Sequence, residues 1–226
     1  MFDYTYPGTL PSAKGWGSGW PNCQTDKLTP LSIRDRNGQL IPFATHAWNA
    51  GEFEPVKFPG GVRTEIHELL TLILHECDRR GFDFLSPGCW GFACRSTKSS
   101  SGSLSERPSV HSWGLAIDIN APQNVFGATT HNLPDWLPPL FHRYGFRWLG
   151  PPIKDWMHFD FCGSRKDAAE MTERARIQLG TTYQFKGESY RRLSSLFEAM
   201  SENLRGKPGD FKVTVESVSK FGGEPW

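Results

Sequence analysis

Two short segments constrain this chain more than any other feature, because each alternates with the period of a half-buried strand. In residues 114–120, Leu115, Ile117 and Ile119 point one way and Ala116, Asp118 and Asn120 the other. In residues 156–161, Met157, Phe159 and Phe161 oppose Trp156, His158 and Asp160. A period of two cannot be rewound into a helix without scattering the apolar face. Each segment therefore presents a polar residue from an otherwise apolar element.

The rest of the chain surrounds these strands with mixed structure. Val62, Ile66, Leu69, Leu70, Ile73, Leu74 and Cys77 recur at helical spacing, so 62–80 reads as a helix stopped by Gly81. Its His67 and His75 are eight residues apart, which excludes the paired-histidine zinc helix. Residues 89–95 read as a strand ending at Arg95, and the Ser-rich stretch 96–105 as a surface loop able to act as a lid. A short helix over 135–144, a strand over 146–149, helices over 166–179 and 189–204 (stripe Leu193, Leu196, Phe197, Met200) and a closing strand over 211–218 complete the reading. Residues 1–61, dense in Gly, Pro and Trp and with only 40–43 resembling a strand, read as an irregular N-terminal arm packed on the domain through its tryptophans. The expected organisation is that arm, a core over 62–162, and a helical C-terminal extension over 163–226. The extension either completes the same domain or binds a surface.

With 23 glycines, 17 prolines and nine tryptophans, the composition favours a loop-rich α+β domain over a bundle. The 25 basic and 24 acidic residues nearly cancel, so no global field exists to hold nucleic acid or an anionic membrane. No apolar run approaches the roughly 20 residues of a membrane span, and Met1-Phe2-Asp3 does not begin a secretory signal. The expectation is a soluble protein, made in the cytoplasm and monomeric. Five cysteines are an odd number in a chain of this length and read as buried or idle thiols, with a Cys89–Cys94 bridge or half a zinc knuckle as the alternative.

Chemistry concentrates on the two strands. Asp118 is a carboxylate inside a strand and asks for a cation or a basic group. His111 lies seven residues before it, and the second strand supplies His158, with Asp155 three positions earlier. Two histidines and one carboxylate give Zn²⁺ three ligands and an open fourth position, the arrangement of catalytic zinc. Asp155 and His158 have opposite parity, so Asp155 falls on the incoming turn, placed as a general base rather than a ligand. Taken singly, each histidine is more often a satisfied or surface residue; the combination carries the argument.

Ser109-Val110-His111-Ser112-Trp113-Gly114-Leu115-Ala116-Ile117-Asp118 resembles the S-x-H-x-x-G-x-A-x-D signature of the M15 zinc peptidases, the D,D-carboxypeptidases and phage-type L-alanyl-D-glutamate endopeptidases. Asp155-Trp156-Met157-His158-Phe159 resembles their D/E-x-x-H-F element. The resemblance spans about 92–161. It implies an α+β fold with a small antiparallel sheet carrying a zinc site and flanked by helices, the M15 or hedgehog-like peptidase fold. It also implies Zn²⁺ held by His111, Asp118 and His158, with Asp155 as general base and Arg95 as the substrate-binding arginine that steadies a developing oxyanion. Ser109 and Trp156 are the implied substrate contacts, although a turn-forming Ser and core tryptophans at 113 and 156 explain those residues as well. Gly114 permits the tight turn out of His111. The chain departs from the family at Asp160, where Glu is common, and at Asp155, where many carboxypeptidase-like members have Glu; the latter leans toward the endopeptidase branch.

What the resemblance implies functionally is hydrolysis of peptidoglycan stem peptides, as a phage endolysin or virion lysin acting at the bacterial wall after release or delivery by a phage particle. A D-alanyl-D-alanine carboxypeptidase or dipeptidase and a non-catalytic zinc-containing wall-binding or tail module are the alternatives. A Cys–His peptidase would need an activated cysteine, and none has such a context.

Overall fold

A computed structural model describes residues 2–33, 56–85, 87–98, 104–179, 181–185, 188–190 and 214–217. The chain divides into two compact units, Met1–Thr172 and Glu173–Trp226. The described residues are mixed α+β, with small antiparallel sheets and three α-helices. No helix among the described residues is long and apolar enough to cross a membrane.

The first unit begins with strands β1 (Leu28–Ser32) and β2 (Lys57–Arg63), paired antiparallel, and passes directly into helix α1 (Thr64–Arg79). The expected helix starts two residues late. Val62 and Arg63 stay in β2, where they pair with Thr29 and Leu28 and where the Arg63 N–H donates to Gly114 O at 2.7 Å. The apolar stripe of α1 is fully buried at Ile66, Leu69, Leu70, Ile73, Leu74 and Cys77. Its end is closed by N–H groups of Gly81 and Phe82 donating to Asp78 O and Cys77 O.

Strands β3 (Ser96–Lys98) and β4 (Leu104–Pro108) form a hairpin in the Ser-rich stretch, so the expected loop is a pair of strands over its described part. Residues 89–95 do not form a strand. Only Trp90 pairs, with Asp118; the N–H groups of Gly91 and Phe92 turn instead to Pro59 O and Gly61 O in β2. A segment that divides its hydrogen bonds between two neighbours builds no ladder with either.

The central sheet consists of β5 (Ala116–Asp118), β6 (Phe146–Trp148) and β7 (His158–Phe161), in the order β5-β7-β6, with helix α2 (Leu137–Arg143) beside β6. Trp156 and Met157 lie in a turn rather than in β7, because the His158 N–H closes back on Asp155 O at 3.1 Å. One face of this sheet is apolar: Ile117 and Phe159 are solvent-free, and Phe159 packs on Phe141 of α2 with ring centroids 4.5 Å apart. The other face carries two rows. Ala116, Asp160 and Arg147 are register partners, and so are Asp118 and His158.

The N-terminal residues brace this unit rather than trail along it. The Trp16 side chain is solvent-free and its indole N–H donates to Gly163 O at 2.8 Å. Lys14 Nζ donates to Cys162 O, Trp113 Nε1 to Gly17 O, and the Trp20 N–H to Ser112 Oγ. Cys23 and Cys94 form a disulfide, which corrects the reading of every cysteine as an idle thiol and pairs Cys94 with a residue 71 positions away instead of Cys89. Cys77, Cys89 and Cys162 are free and buried. A bridge closing so long a loop removes about 2–4 kcal/mol of unfolded-chain entropy. Full reduction is therefore expected to lower the melting temperature of this unit by roughly 5–15 °C. A melting curve unchanged after thiol titration shows two extra free thiols would contradict this.

Helix α3 (Arg165–Leu179) follows β7 across the boundary between the units. The second unit contains a three-stranded antiparallel sheet of β8 (Thr181–Phe185), β9 (Glu188–Tyr190) and β10 (Thr214–Ser217), in the order β10-β8-β9. Ser189 and Tyr190, expected to begin a helix, sit in β9, where they pair with Gln184 and Tyr183. The remainder of that expected helix and the expected strand at 40–43 lie outside the described residues.

Candidate metal centre

Asp118 and His158 meet because of the hydrogen-bond phase of the sheet. Asp118 exchanges both backbone hydrogen bonds with Trp90, at 2.9 and 3.0 Å. Its peptide groups therefore point away from β7, and Asp118 and His158 form a non-hydrogen-bonded pair, the closer kind for side chains. His111 arrives from a single 3-10 turn, Val110–Trp113, ended by Gly114 at φ 70°. A Cβ on Gly114 would lie 2.6 Å from Leu28 and 2.8 Å from the Arg63 nitrogen, so only glycine closes this turn against β2.

The three side chains converge. His111 Nε2 is 3.0 Å from His158 Nδ1, and each nitrogen is 3.2 Å from Asp118 Oδ1. His111 and His158 are buried. Their outer nitrogens decide what the inner ones offer. His111 Nδ1 lies 2.6 Å from Gly91 O, and a carbonyl only accepts, so Nδ1 carries the proton and Nε2 presents a lone pair. His158 Nε2 lies 3.5 Å from the Asp160 carboxylate, which selects the proton on Nε2 and the lone pair on Nδ1 in the neutral ring. Two lone pairs and a carboxylate oxygen facing one another make a donor set for a single cation. Ligand atoms 2.0–2.1 Å from a tetrahedral Zn²⁺ stand about 3.3 Å apart, close to the separations seen here. His111, Asp118 and His158 can thus hold a metal ion.

The charges of the cluster point the same way. Burial pushes the Asp118 carboxyl upward, but the adjoining His111 and His158 outweigh it and hold it well below the usual range. Burial lowers His158, yet its contacts with Asp118 and Asp160 raise it to about 10.

Behind His158 stands a support that the sequence reading found only in half. Asp160 was expected to share a face with His158, and it does. Its carboxylate is also gripped at both oxygens by Arg147, Nε to Oδ1 at 3.0 Å and Nη2 to Oδ2 at 2.6 Å. The guanidinium continues to Thr5 O and lies over the Tyr6 ring. A bidentate, buried pair of this kind fixes the Asp160 plane and through it the His158 ring. The missed signal was an arginine between Phe146 and Trp148 in a strand that reads as buried.

Gly91 was missed as well. Its carbonyl orients His111, and a Cβ there would fall 2.2 Å from Gly61 O.

Asp155 lies in the turn before β7, where parity placed it. Its N–H donates to Leu149 O, and among the described residues its carboxylate takes no hydrogen bond. Burial raises its pKa, with His158, Asp118, His111 and Arg95 all within electrostatic reach. Arg95 immediately precedes β3, with its Nη1 donating to Ser96 O.

Ser109 is buried and serves through its backbone. Its N–H donates to Arg95 O and its carbonyl accepts from Ser112 Oγ, which ties the arginine segment to the His111 turn. Trp156 lies away from solvent at 6% exposure, its indole N–H donated to Ala128 O and its ring against Trp148 and His131. That is a core position: an indole sealed on its faces has little surface left for a substrate. The free cysteines stand apart from this chemistry, burial pushing Cys89 up to about 12 and Cys77 and Cys162 higher.

Residues 103–161 match the M15 peptidase family model described as D-alanyl-D-alanine carboxypeptidase. The matched stretch contains His111, Asp118, Asp155 and His158 and leaves out Arg95. Searches of curated proteins and of solved structures found no match. The M15 resemblance read from the two motifs is supported over this stretch, and with it a metallopeptidase of the kind that acts on peptidoglycan peptides.

Proposed function

We propose that the M15 peptidase segment at 103–161 makes this chain a zinc-dependent hydrolase of peptidoglycan stem peptides, most specifically a phage lysin that cuts the L-alanyl-D-glutamate bond or a neighbouring one. The observation that carries the reading is the convergence of His111 Nε2, His158 Nδ1 and Asp118 Oδ1 within 3.0–3.2 Å, beside the half-buried Asp155 carboxylate, which has no hydrogen-bond partner among the described residues. A zinc ion bound there supplies Lewis-acid polarisation and lowers the pKa of water.

The chain's own residues do the rest. His111, Asp118 and His158 hold the ion, and Gly91 O and Asp160 keep their rings oriented. Asp155, raised in pKa by burial, takes the proton of the attacking water and passes it to the leaving amine. Arg95 offers guanidinium donors to the carbonyl oxygen as it gains charge. The aspartate at 155 rather than glutamate supports an endopeptidase over a carboxypeptidase.

Mass spectrometry of fragments released from a defined muropeptide tests this. An internal L-Ala–D-Glu cut that chelation stops and Zn²⁺ restores is the expected result. Loss of a terminal D-alanine alone would make the protein a carboxypeptidase. Cleavage insensitive to chelators would remove the metal from the reaction, and silence on all walls would leave a binding module.

A further inference from the structure

Trp90 stands beside the metal centre and takes no part in holding it. It is the one exposed tryptophan among the described residues, 48% exposed, while Trp16, Trp113 and Trp156 are buried. Its backbone exchanges both hydrogen bonds with Asp118, at 3.0 and 2.9 Å. Directly opposed residues of an antiparallel pair project from the same face, with Cβ atoms about 5 Å apart. Trp90, Asp118 and His158 therefore form one row across the sheet, on the face that carries the cluster.

The exposed indole is open to a ligand, and its partner across the bridge is a candidate metal ligand. A peptide chain advances about 3.4 Å per residue when extended. A substrate whose scissile carbonyl lies at the cluster thus brings the residues next to that bond alongside Trp90. The family description names alanyl residues, whose side chain is a single methyl.

We infer that Trp90 is a specificity-determining wall of the substrate cleft, receiving the methyl side chain of an alanyl residue that flanks the scissile bond. The inference rests on the stem-peptide reading above. Polar or charged side chains at that position gain nothing from the indole face, and glycine leaves it uncovered.

The test is a cycle between protein and substrate. Kinetics of the full chain loaded with zinc are measured on stem peptides bearing Ala or Gly at the residues flanking the cut, for wild type, Trp90→Ala and Trp90→Phe. Wild type is expected to lose roughly fourfold in kcat/KM when the relevant methyl is removed, the worth of one buried methyl group. Trp90→Ala is expected to lose roughly tenfold on the Ala peptide, through KM, and to treat Ala and Gly peptides alike. Trp90→Phe should restore most of the discrimination.

An alanine variant that keeps the wild-type preference for Ala over Gly overturns the inference. So does one that loses the melting-temperature gain on zinc addition, since Trp90 would then act by holding Asp118. If wild type cleaves none of the peptides, the stem-peptide reading fails and takes this one with it. A wild type that cleaves them with a Trp90→Ala variant indistinguishable from it sinks this inference alone.

Discussion

Replacing Asp118 with Ala is expected to abolish both peptide hydrolysis and the stabilisation that zinc gives the folded chain. Asp118 Oδ1 is the only atom of the cluster within 3.2 Å of both imidazole nitrogens and its only negative charge. Without it, two lone pairs face each other at 3.0 Å with one fewer ligand and no negatively charged ligand atom for a dication. A metal present at a thousand times its dissociation constant adds about 4 kcal/mol of stability. For a unit of this size that is on the order of 10 °C in melting temperature. Wild type treated with chelator and then zinc should recover that gain, whereas Asp118→Ala should gain little and its activity should fall at least a thousandfold. Melting curves with and without zinc, paired with hydrolysis rates, measure both. A variant that still gains the full shift would show that the ion binds elsewhere.

The parts of this centre that were legible in the sequence are those carried by local periodicity. Alternation exposed β5 and the polar face of β7, and the helical stripe of α1 gave that helix to within two residues. Parity put Asp155 in a turn, and the turn is there because the His158 N–H folds back on Asp155 O. What stayed hidden depends on chain segments far apart. Gly91 O reaches His111 only because Gly91 and Phe92 switch their N–H groups from β5 to β2, which no pattern within 89–95 encodes. Arg147 and Asp160 become a pair only when β6 and β7 are set in register, though a buried arginine in an apolar strand was a signal that a partner had to exist. The Cys23–Cys94 bridge follows from the N-terminal segment wrapping back over Ser112 and Trp113. Trp156 falls within the second motif and is there an implied substrate contact. The exposed tryptophan among the described residues is instead Trp90, outside both motifs, because pairing with Asp118 sets it on the cluster's face while Trp156 turns into the aromatic core.

The second large effect concerns Asp155, whose role separates catalysis from metal binding. Asp155→Asn is expected to keep the zinc-induced rise in melting temperature and to lower kcat by about 10²–10⁴, the usual contribution of a positioned general base, with KM little changed. Stability should move in the opposite direction from activity. Burial raises the Asp155 pKa in the fold, so the metal-free folded state binds this proton more readily than the unfolded chain does. Above the unfolded carboxylate pKa, ionised Asp155 therefore costs stability, and that cost is relieved as pH falls through the raised folded value. The neutral amide removes it, and metal-free Asp155→Asn should melt at or above wild type at neutral pH, with the difference vanishing in acid. A carboxylate kept at a net cost, with no hydrogen-bond partner among the described residues and with His158, Asp118, His111 and Arg95 in reach, is the physical signature of a group retained for its chemistry. Asp155→Glu, one methylene longer and with the carboxylate kept, should recover part of the rate. A slow asparagine variant that has also lost its response to zinc would make Asp155 a support of the metal site. One that turns over at the wild-type rate would take the proton transfer away from Asp155 altogether.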